Sequence, residues 1–295
     1  MYFCGEISIM SNQSKNILVT GSNGQLGKCL HDAVQNSPNF FFTDIAELDI
    51  TNINAVSDFV HKNRIDCIVN TAAYTAVDKA ESEHGKAFDV NEYGVWVLSH
   101  ICMEQNVFLI HVSTDYVFDG TISKPYQTNA RTNPISVYGQ SKLAGEKIII
   151  EAQIPSIIIR TSWLYSKYGN NFLNTMLRLG KENADINIVN DQFGAPTNAN
   201  DLSMVILHIL EKTDEITKPT IFHYANEGVT TWYGFAKEIM EIAHLPCMVH
   251  PVATDQHLTS ATRPAYSVFD LSKIKNQFNI LIPNWVESLK LVING

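Results

Sequence analysis

A strand, a glycine turn and a helix that follow one another near the start of the chain constrain the fold most. Residues 16–20 (NILVT) are an apolar run, and Gly21, Gly24 and Gly27 separate it from a helical pattern that continues to Val34. In such a unit the glycines permit a tight turn, approach of a pyrophosphate to the backbone, and close packing of helix on strand. The segment therefore predicts a dinucleotide site in which the helix N-terminus faces the phosphates.

An acidic residue follows the second apolar strand. Asp44 comes directly after residues 40–43 (FFFT) and 17 residues after Gly27. A carboxylate at about this distance accepts hydrogen bonds from the adenosine ribose of a dinucleotide. Because it also repels a 2′-phosphate, it favours NADH over NADPH.

Apolar strands alternate with helical patterns through the first half of the chain. The predicted strands are residues 17–20, 40–43, 67–71, 108–114 and 157–161. The predicted helices are residues 26–34, 53–62, 86–104 and 137–151. This order predicts the α/β class, with a doubly wound, Rossmann-type parallel sheet.

The pattern loosens after Trp163, which favours a smaller C-terminal substrate-binding domain. Its predicted elements are a helix 171–181, a strand 186–189, a helix 200–211, a strand 221–225 and a helix with Thr231 as its N-cap. We predict an NAD(P)-binding domain over 15–163 and a mainly sugar-nucleotide-binding domain over 164–295, parts of which return to the first. The first ~15 residues read as a frayed end, with Met10 as an alternative start.

Three polar side chains suggest proton-transfer chemistry. Tyr138 and Lys142 are four residues apart, so they share one helix face, and Thr114 ends a predicted strand 24 residues before Tyr138. A nearby cation favours the phenolate form of a tyrosine, which titrates near pH 10 in water. Lys142 is predicted to be that cation. Taken alone, the spacing fits a surface pair better than a catalytic one.

Composition excludes several classes of function. The net charge is −9 over 295 residues and there is no Lys/Arg run, which argues against nucleic acid or an anionic membrane as partner. No stretch approaches ~20 apolar residues and no secretory signal is evident, so we expect a cytoplasmic protein. The histidines are scattered, and the cysteines lack disulfide or zinc spacing; the latter are Cys4, Cys29, Cys67, Cys102 and Cys247.

Five segments carry a resemblance to a known family. The chain resembles the dTDP-4-dehydrorhamnose reductases of the extended short-chain dehydrogenase/reductase superfamily from about residue 15 to 285. The most specific segments are 72–81 (AAYTAVDKAE), 113–120 (STDYVFDG), 138–146 (YGQSKLAGE), 160–165 (RTSWLY) and 191–197 (DQFGAPT). The resemblance implies reduction of the C4 ketone of dTDP-4-dehydro-L-rhamnose by NADH or NADPH, for cell-surface polysaccharide.

The resemblance also implies residue roles. Tyr138 donates the proton, Lys142 holds the nicotinamide ribose and tunes the phenol, and Thr114 polarises the carbonyl. Besides the three glycines, Tyr138 and Lys142, it implies cofactor contacts at Gln25, Leu26, Asp44, Asp49, Ile50, Ala73, Tyr74, Thr75 and Val112.

Implied substrate contacts are Thr114, Asp115 and Trp163. Without the family, Trp163 could equally fill the core. Arg263 lies in a loop-like stretch and is predicted to clamp the nucleotide diphosphate, with a solvated surface arginine as the alternative.

One departure from the family concerns a metal. Some members are metal-linked dimers held through carboxylates, but the corresponding positions here are Cys29 and Asn200. A neutral thiol and an amide are poor ligands for a hard divalent ion. We therefore predict no metal site, doubt a role for Mg²⁺, and expect a monomer or a homodimer.

Three other functions remain open. A sugar-nucleotide dehydratase normally has an acidic pair after the threonine, whereas Asp115 is followed by Tyr116 here. An epimerase would keep the three catalytic residues but hold its oxidised cofactor tightly. A non-catalytic subunit, similar to the β subunit of methionine adenosyltransferase, belongs to a different class, and turnover separates it from an enzyme.

Overall fold

The computed structural model describes residues 15–35, 37–257 and 259–295. The predicted frayed end, with Met10, lies outside them. The strands are β1 Ile17–Thr20, β2 Phe40–Thr43, β3 Cys67–Asn70, β4 Phe108–Thr114, β5 Ser156–Thr161, β6 Leu164–Tyr165, β7 Asp185–Val189, β8 Phe193–Gly194, β9 Thr197–Asn198, β10 Thr220–Tyr224, β11 Thr230–Thr231 and β12 Met248–Val252.

The α-helices are α1 Gln25–Val34, α2 Ile53–Lys62, α3 Val77–Ala80, α4 His84–Phe88, α5 Gly94–Gln105, α6 Val137–Ala152, α7 Phe172–Glu182, α8 Ala199–Leu210, α9 Trp232–Ile242, α10 Ser272–Phe278 and α11 Trp285–Asn294. The chain also forms a π-helical turn at Asp89–Tyr93 and 3₁₀ turns at Asp115–Val117, Thr213–Glu215 and Thr254–Gln256. No helix in the described ranges has the length and apolar character needed to cross a membrane.

Six strands form one parallel sheet in the order β10-β5-β4-β3-β1-β2. Every residue of β1 and β3 is buried, as a parallel sheet covered on both faces requires. Helices α1, α8 and α10 pack on one face, and α2, α5 and α6 pack on the other. The predicted doubly wound α/β fold is confirmed.

The strand order creates a crevice at the carboxyl ends of the inner strands β1 and β3. From β1 the chain adds β2 on one side and then β3 on the other. Ligands of open α/β sheets bind beyond the carboxyl ends of the strands at such a switch point. The glycine turn after β1 and the loop after β3 therefore face the same crevice.

The predicted helix 86–104 is helical throughout but contains a π-helical turn. It consists of α4, the π-helical turn and α5. The wider turn directs Asn91 inward, where its side chain accepts a hydrogen bond from the Tyr74 amide (2.9 Å) and donates to the Ser141 hydroxyl (2.9 Å). The irregularity thus ties the loop after β3 to helix α6. Single π turns of this kind are frequent near functional sites.

A second core lies between α7, α9 and α11. Strand β7 pairs in parallel with β12 beside it. The predicted N-cap is confirmed, because the Thr231 hydroxyl accepts a hydrogen bond from the Gly234 amide at 3.0 Å. Strand β10 comes from the same half of the chain but pairs with β5 in the main sheet.

Candidate active site

A cleft of about 730 Å³ lies over the carboxyl ends of β1, β3 and β4. The predicted site residues line it, except Gly27 and Arg263. Those in the cleft are Gly21, Gly24, Gln25, Leu26, Asp44, Asp49, Ile50, Ala73, Tyr74, Thr75, Val112, Thr114, Asp115, Tyr138, Lys142 and Trp163. The structure thus brings together residues that are far apart in the sequence.

The glycine turn has the geometry that a dinucleotide needs. Gly21 has φ +68°, and a Cβ there would lie 2.6 Å from the Ala72 Cα. A Cβ on Gly27 would lie 2.5 Å from the Ser22 Cα, so this glycine serves helix–turn packing and not the cleft wall. Helix α1 starts after Gly24 without a side-chain cap. Its first N–H groups are therefore suited to bind a phosphate.

Asp44 stands at the end of β2, beside that turn. One carboxylate oxygen accepts a hydrogen bond from the Asn23 amide (2.8 Å), and the other accepts from the Ile45 amide (2.8 Å). The carboxylate is thus held at the rim of the cleft, where a ribose hydroxyl could donate to it. Its position fits the predicted role in cofactor binding.

Tyr138 and Lys142 share one face of α6 and both line the cleft, as their spacing predicts. The helix begins after Ser136, whose hydroxyl accepts a hydrogen bond from the Gly139 amide at 3.2 Å. A capped start and four helical turns give the two side chains a rigid support.

The Lys142 ammonium contacts strand β4. Its side chain is only 2% exposed, and Nζ donates a hydrogen bond to the Val112 carbonyl at 2.8 Å. Burial lowers the pKa of Lys142 to about 8, and the charge of Glu146 acts in the opposite direction.

The expected tuning of Tyr138 by Lys142 is not seen. Burial raises the pKa of Tyr138 to about 12, although the Thr114 hydroxyl lowers it. The reason is geometric, because the Lys142 ammonium is engaged by a backbone carbonyl. A neutral phenol is nevertheless the form that can donate a proton.

Thr114 and Asp115 mark the end of β4, where the chain enters a 3₁₀ turn. The Thr114 hydroxyl accepts from the Tyr116 amide (3.2 Å) and donates to Asp115 (3.2 Å). Burial raises the pKa of Asp115 to about 6, with hydrogen bonds from Ser267 and Thr114 opposing it. Two polar groups thus face the cleft beside the Tyr138 phenol.

Trp163 forms a flat wall of the cleft. Its ring stacks on that of Trp232, with centroids 3.7 Å apart and planes 11° apart. Trp163 has φ +47°, a strained conformation for a large residue, which is typical of functional sites. The side chain is partly exposed and lines the cleft, which favours a binding role over core filling.

Arg263 does not line the cleft. Its guanidinium donates two hydrogen bonds to the carboxylate of Asp78, at 2.7 and 3.1 Å. Neither the predicted clamp nor a freely solvated arginine describes this geometry, because the guanidinium donates to Asp78 and to the Ala261 carbonyl. The clamp stays a prediction.

The two positions that replace metal-linking carboxylates are unsuited to that task. Cys29 is buried, and burial raises the pKa of its thiol to about 12. Asp201, next to Asn200, accepts hydrogen bonds from Asn226 (2.6 Å) and Ser288. Within residues 15–35, 37–257 and 259–295 there is no cluster of three His, Cys, Asp or Glu side chains that could hold a metal.

Sequence reasoning missed two aromatic residues of the cleft. The Tyr116 ring meets that of Tyr138 edge-on, with centroids 5.5 Å apart, and Trp232 backs Trp163. Trp232 follows the predicted N-cap Thr231, but a position at a helix start does not reveal which loop it meets. The sequence singled out Tyr116 only as the residue at the position where a sugar-nucleotide dehydratase has a carboxylic acid.

The chain matches a family profile along its described length. The profile is that of the RmlD substrate binding domain, and it matches residues 15–295. A dTDP-4-dehydrorhamnose reductase of Aggregatibacter actinomycetemcomitans is 39% identical over 285 residues, covering 93% of this chain and 97% of the relative. The enzyme of the same name from Escherichia coli strain K12 is 38% identical, covering 95% and 97%.

A solved structure agrees with these relatives. The dTDP-4-dehydrorhamnose reductase of Bacillus anthracis, in complex with NADP, superimposes with a TM-score of 0.90 at 37% identity and covers 96% of this chain and 99% of its own. Fold, cleft and sequence lead to the same conclusion. The chain belongs to the dTDP-4-dehydrorhamnose reductase family.

Proposed function

We propose that this protein reduces the C4 ketone of dTDP-4-dehydro-L-rhamnose to give dTDP-L-rhamnose, a sugar nucleotide for cell-surface polysaccharide. The observation that carries this proposal is a single cleft that holds Thr114, Tyr138 and Lys142 together with the glycine turn at the switch point. The family relationship supplies the substrate, because curated relatives that cover most of the chain are reductases of this sugar nucleotide.

The chain's residues divide the work of the reduction. When bound, NADH or NADPH supplies the hydride for C4. Tyr138, neutral in its buried setting, donates the proton that the C4 oxygen takes up. Thr114 stabilises the charge that develops on that oxygen. Lys142, whose ammonium donates to the Val112 carbonyl, binds the nicotinamide ribose.

Both NADH and NADPH are candidate cofactors of this enzyme. The glycine turn after β1 supports the binding of a dinucleotide, since a Cβ at Gly21 would collide with the backbone of Ala72. The related Bacillus anthracis structure contains NADP. Asp44 favours NADH through its charge. We propose that the enzyme accepts both cofactors and that Asp44 limits its preference for NADPH.

The residues that line the cleft indicate where the substrate binds. Trp163 offers an apolar face to a sugar ring, and Asp115 offers hydrogen-bond partners to its hydroxyl groups. We propose that residues 164–295 mainly bind the sugar nucleotide and residues 15–163 the cofactor. A cytoplasmic monomer or homodimer is the state that we propose for the enzyme.

The alternatives are less well supported by this cleft. The residue after Asp115 is Tyr116, and burial raises its pKa well above the ordinary value, so it cannot replace a carboxylic acid in water elimination. A tightly bound oxidised cofactor in the purified protein would favour an epimerase. A non-catalytic subunit has no need of all three catalytic residues.

A coupled assay tests the proposed function. Loss of NADH or NADPH absorbance is followed with dTDP-linked and UDP-linked 4-keto-6-deoxy sugars, and the product is identified by NMR. We expect turnover with the dTDP-linked substrate and formation of dTDP-L-rhamnose. Cofactor binding without turnover on any keto sugar would instead support a binding subunit.

A further inference from the structure

A chain of buried polar side chains connects the first strand of the sheet to Lys142. The Thr20 hydroxyl donates to Asn70 Oδ1 at 2.7 Å, and Asn70 Nδ2 lies 2.9 Å from His111 Nδ1. His111 Nε2 then lies 3.2 Å from Lys142 Nζ. All four residues are at most 2% exposed. Because these side chains are buried, each donor must find its acceptor within the chain of side chains and not in solvent.

The orientation of the Asn70 amide is determined by its neighbours. The Ala72 backbone N–H lies 3.2 Å from Asn70 Oδ1 and can only donate, so this atom must be the amide oxygen. The amide nitrogen, Nδ2, consequently faces His111. Because Nδ2 is a donor, His111 Nδ1 must accept, and the imidazole proton must be on Nε2.

This tautomer has a consequence for Lys142. The His111 Nε2–H is directed at Lys142 Nζ, which also donates to the Val112 carbonyl at 2.8 Å. An ammonium group has no lone pair to accept a hydrogen bond, whereas a neutral amine has one. The contact therefore favours the neutral amine over the ammonium.

We propose that His111 is a positioning residue for the reduction: held by Asn70 as the Nε2–H tautomer, it directs that N–H at Lys142 Nζ, keeps this nitrogen between the Val112 carbonyl and the cleft, and makes it release its proton more readily. The proposal rests on the role proposed above for Lys142. Burial of His111 supports the proposal, because burial lowers the pKa of the ring well below its ordinary value and keeps the ring neutral.

Other titratable groups near Lys142 act in different ways. On its own helix, Glu146 favours the ammonium, but Glu146 is paired with Arg160 at 2.7 Å. Tyr138 lines the same cleft one turn earlier. From the turn after β4, Asp115 also faces the cleft and favours positive charge when ionised. His111 is the neighbour that opposes the ammonium by direct contact.

A second buried histidine provides an internal comparison. His223 Nδ1 lies 3.0 Å from the Tyr126 carbonyl, which can only accept, so His223 carries its proton on Nδ1. Its Nε2 lies 3.4 Å from Arg160 Nη1, a donor, and is free of a proton. Burial lowers the pKa of His223 to about 3. The two buried rings should therefore be neutral and opposite in tautomer.

The first test is a direct reading of the tautomers. The wild-type protein is labelled with ¹⁵N-histidine, and two-bond ¹H–¹⁵N correlations are recorded at pH 7, with His111→Gln and His223→Asn used for assignment. We expect His111 to be protonated on Nε2 alone and His223 on Nδ1 alone. A His111 ring protonated on Nδ1, or on both nitrogens, would overturn the proposal. This readout does not depend on turnover, so it separates failure of the inference from failure of the proposed function.

The second test reverses the tautomer. In Asn70→Asp, the carboxylate keeps the hydrogen bonds from Thr20 and Ala72 but must accept from His111 Nδ1, which leaves a lone pair on Nε2 to accept from the Lys142 ammonium. We expect kcat/KM of the wild type to fall around pH 8, as Lys142 loses the proton with which it binds the nicotinamide ribose, and we expect this midpoint to move to higher pH in Asn70→Asp. A shift of one unit raises the ratio of kcat/KM at pH 9 to that at pH 7 about fivefold.

His223→Asn is the matched control, because it removes a buried imidazole that does not touch Lys142. The pH at which kcat/KM falls on the alkaline side should be the same in His223→Asn as in the wild type. An unchanged limb in Asn70→Asp, or an equal shift in both variants, would overturn the positioning role.

Discussion

Tyr138 combines two properties that a proton donor needs: it lines the cleft, and burial keeps its phenol neutral. Tyr138→Phe removes the hydroxyl and little else. We expect kcat to fall about 10²–10⁴-fold while the dissociation constant for NADH stays within about twofold. Steady-state kinetics and fluorescence titration measure the two quantities. A fall in kcat of less than about tenfold would show that another group donates the proton.

Asp115 is the residue where function and stability oppose each other. Its pKa is raised to about 6 in the folded protein, against about 3.9 for an unperturbed Asp. The folded state therefore binds the proton more tightly, and stability falls as pH rises from about 4 through 6. Above that window the ionised group costs about 3 kcal/mol.

Asp115→Asn should consequently raise the free energy of unfolding at pH 7 by up to about 3 kcal/mol and lose this advantage at about pH 4. Urea unfolding at several pH values measures it. Asp119→Asn is the control, because backbone and side-chain hydrogen bonds lower the pKa of Asp119 and the substitution should not stabilise at pH 7. An Asp115→Asn effect that is the same at pH 4 and pH 7 would contradict the account.

Which single residues form the site could be predicted only in part from the sequence. Tyr138, Lys142 and Gly21 belong to local patterns, because helix spacing and strand–turn–helix order determine their geometry. The contacts of Lys142 with His111 and of Trp163 with Trp232 join segments far apart in the chain. No local pattern encodes such contacts, so the hydrogen bond from the Lys142 ammonium to the Val112 carbonyl was not predicted.

At the scale of elements, a buried ion pair joins helix α6 to strand β5. Arg160 donates to both carboxylate oxygens of Glu146, at 2.9 and 2.7 Å, and both side chains are at most 3% exposed. Removing one partner of such a pair leaves the other charge buried and uncompensated. The pair therefore makes the position of the catalytic helix on the sheet sensitive to one substitution.

Arg160→Met should lower the free energy of unfolding by about 3–5 kcal/mol, and adding Glu146→Gln should recover part of the loss. Urea unfolding measures both. The exposed pair of Arg178 and Glu182, also 2.7 Å apart, is the control, and Arg178→Met should cost less than about 1 kcal/mol. Equal losses for the two single variants would mean that burial of the pair is unimportant.

Several element boundaries were predicted to the residue from the apolar pattern. The observed ranges of β1, β2, β4 and α2 coincide with the predicted ones. The predicted helix 86–104 is helical throughout, but its apolar period does not reveal the π turn within it. That turn is set by the tertiary bonds of Asn91 with Tyr74 and Ser141, which a helical pattern does not contain.

At the scale of the whole molecule, assembly should not depend on a divalent metal. A buried neutral thiol at Cys29 and an amide at Asn200 are poor ligands for Mg²⁺. We expect the same molar mass in EDTA and in millimolar Mg²⁺, with equal activity in both buffers. Gel filtration coupled to light scattering measures the mass. A Mg²⁺-dependent step from monomer to dimer would show that other carboxylates link the subunits.

Hydride transfer from the bound cofactor to C4 of a dTDP-linked 4-keto sugar is the step that we propose for the cleft. It is tested most directly with NADH or NADPH carrying deuterium at the transferable position. After turnover with dTDP-4-dehydro-L-rhamnose, NMR of the product should show one deuterium at C4 of dTDP-L-rhamnose, and Tyr138→Phe should form it far more slowly. Deuterium retained on the cofactor, or found at another carbon of the sugar, would contradict the account.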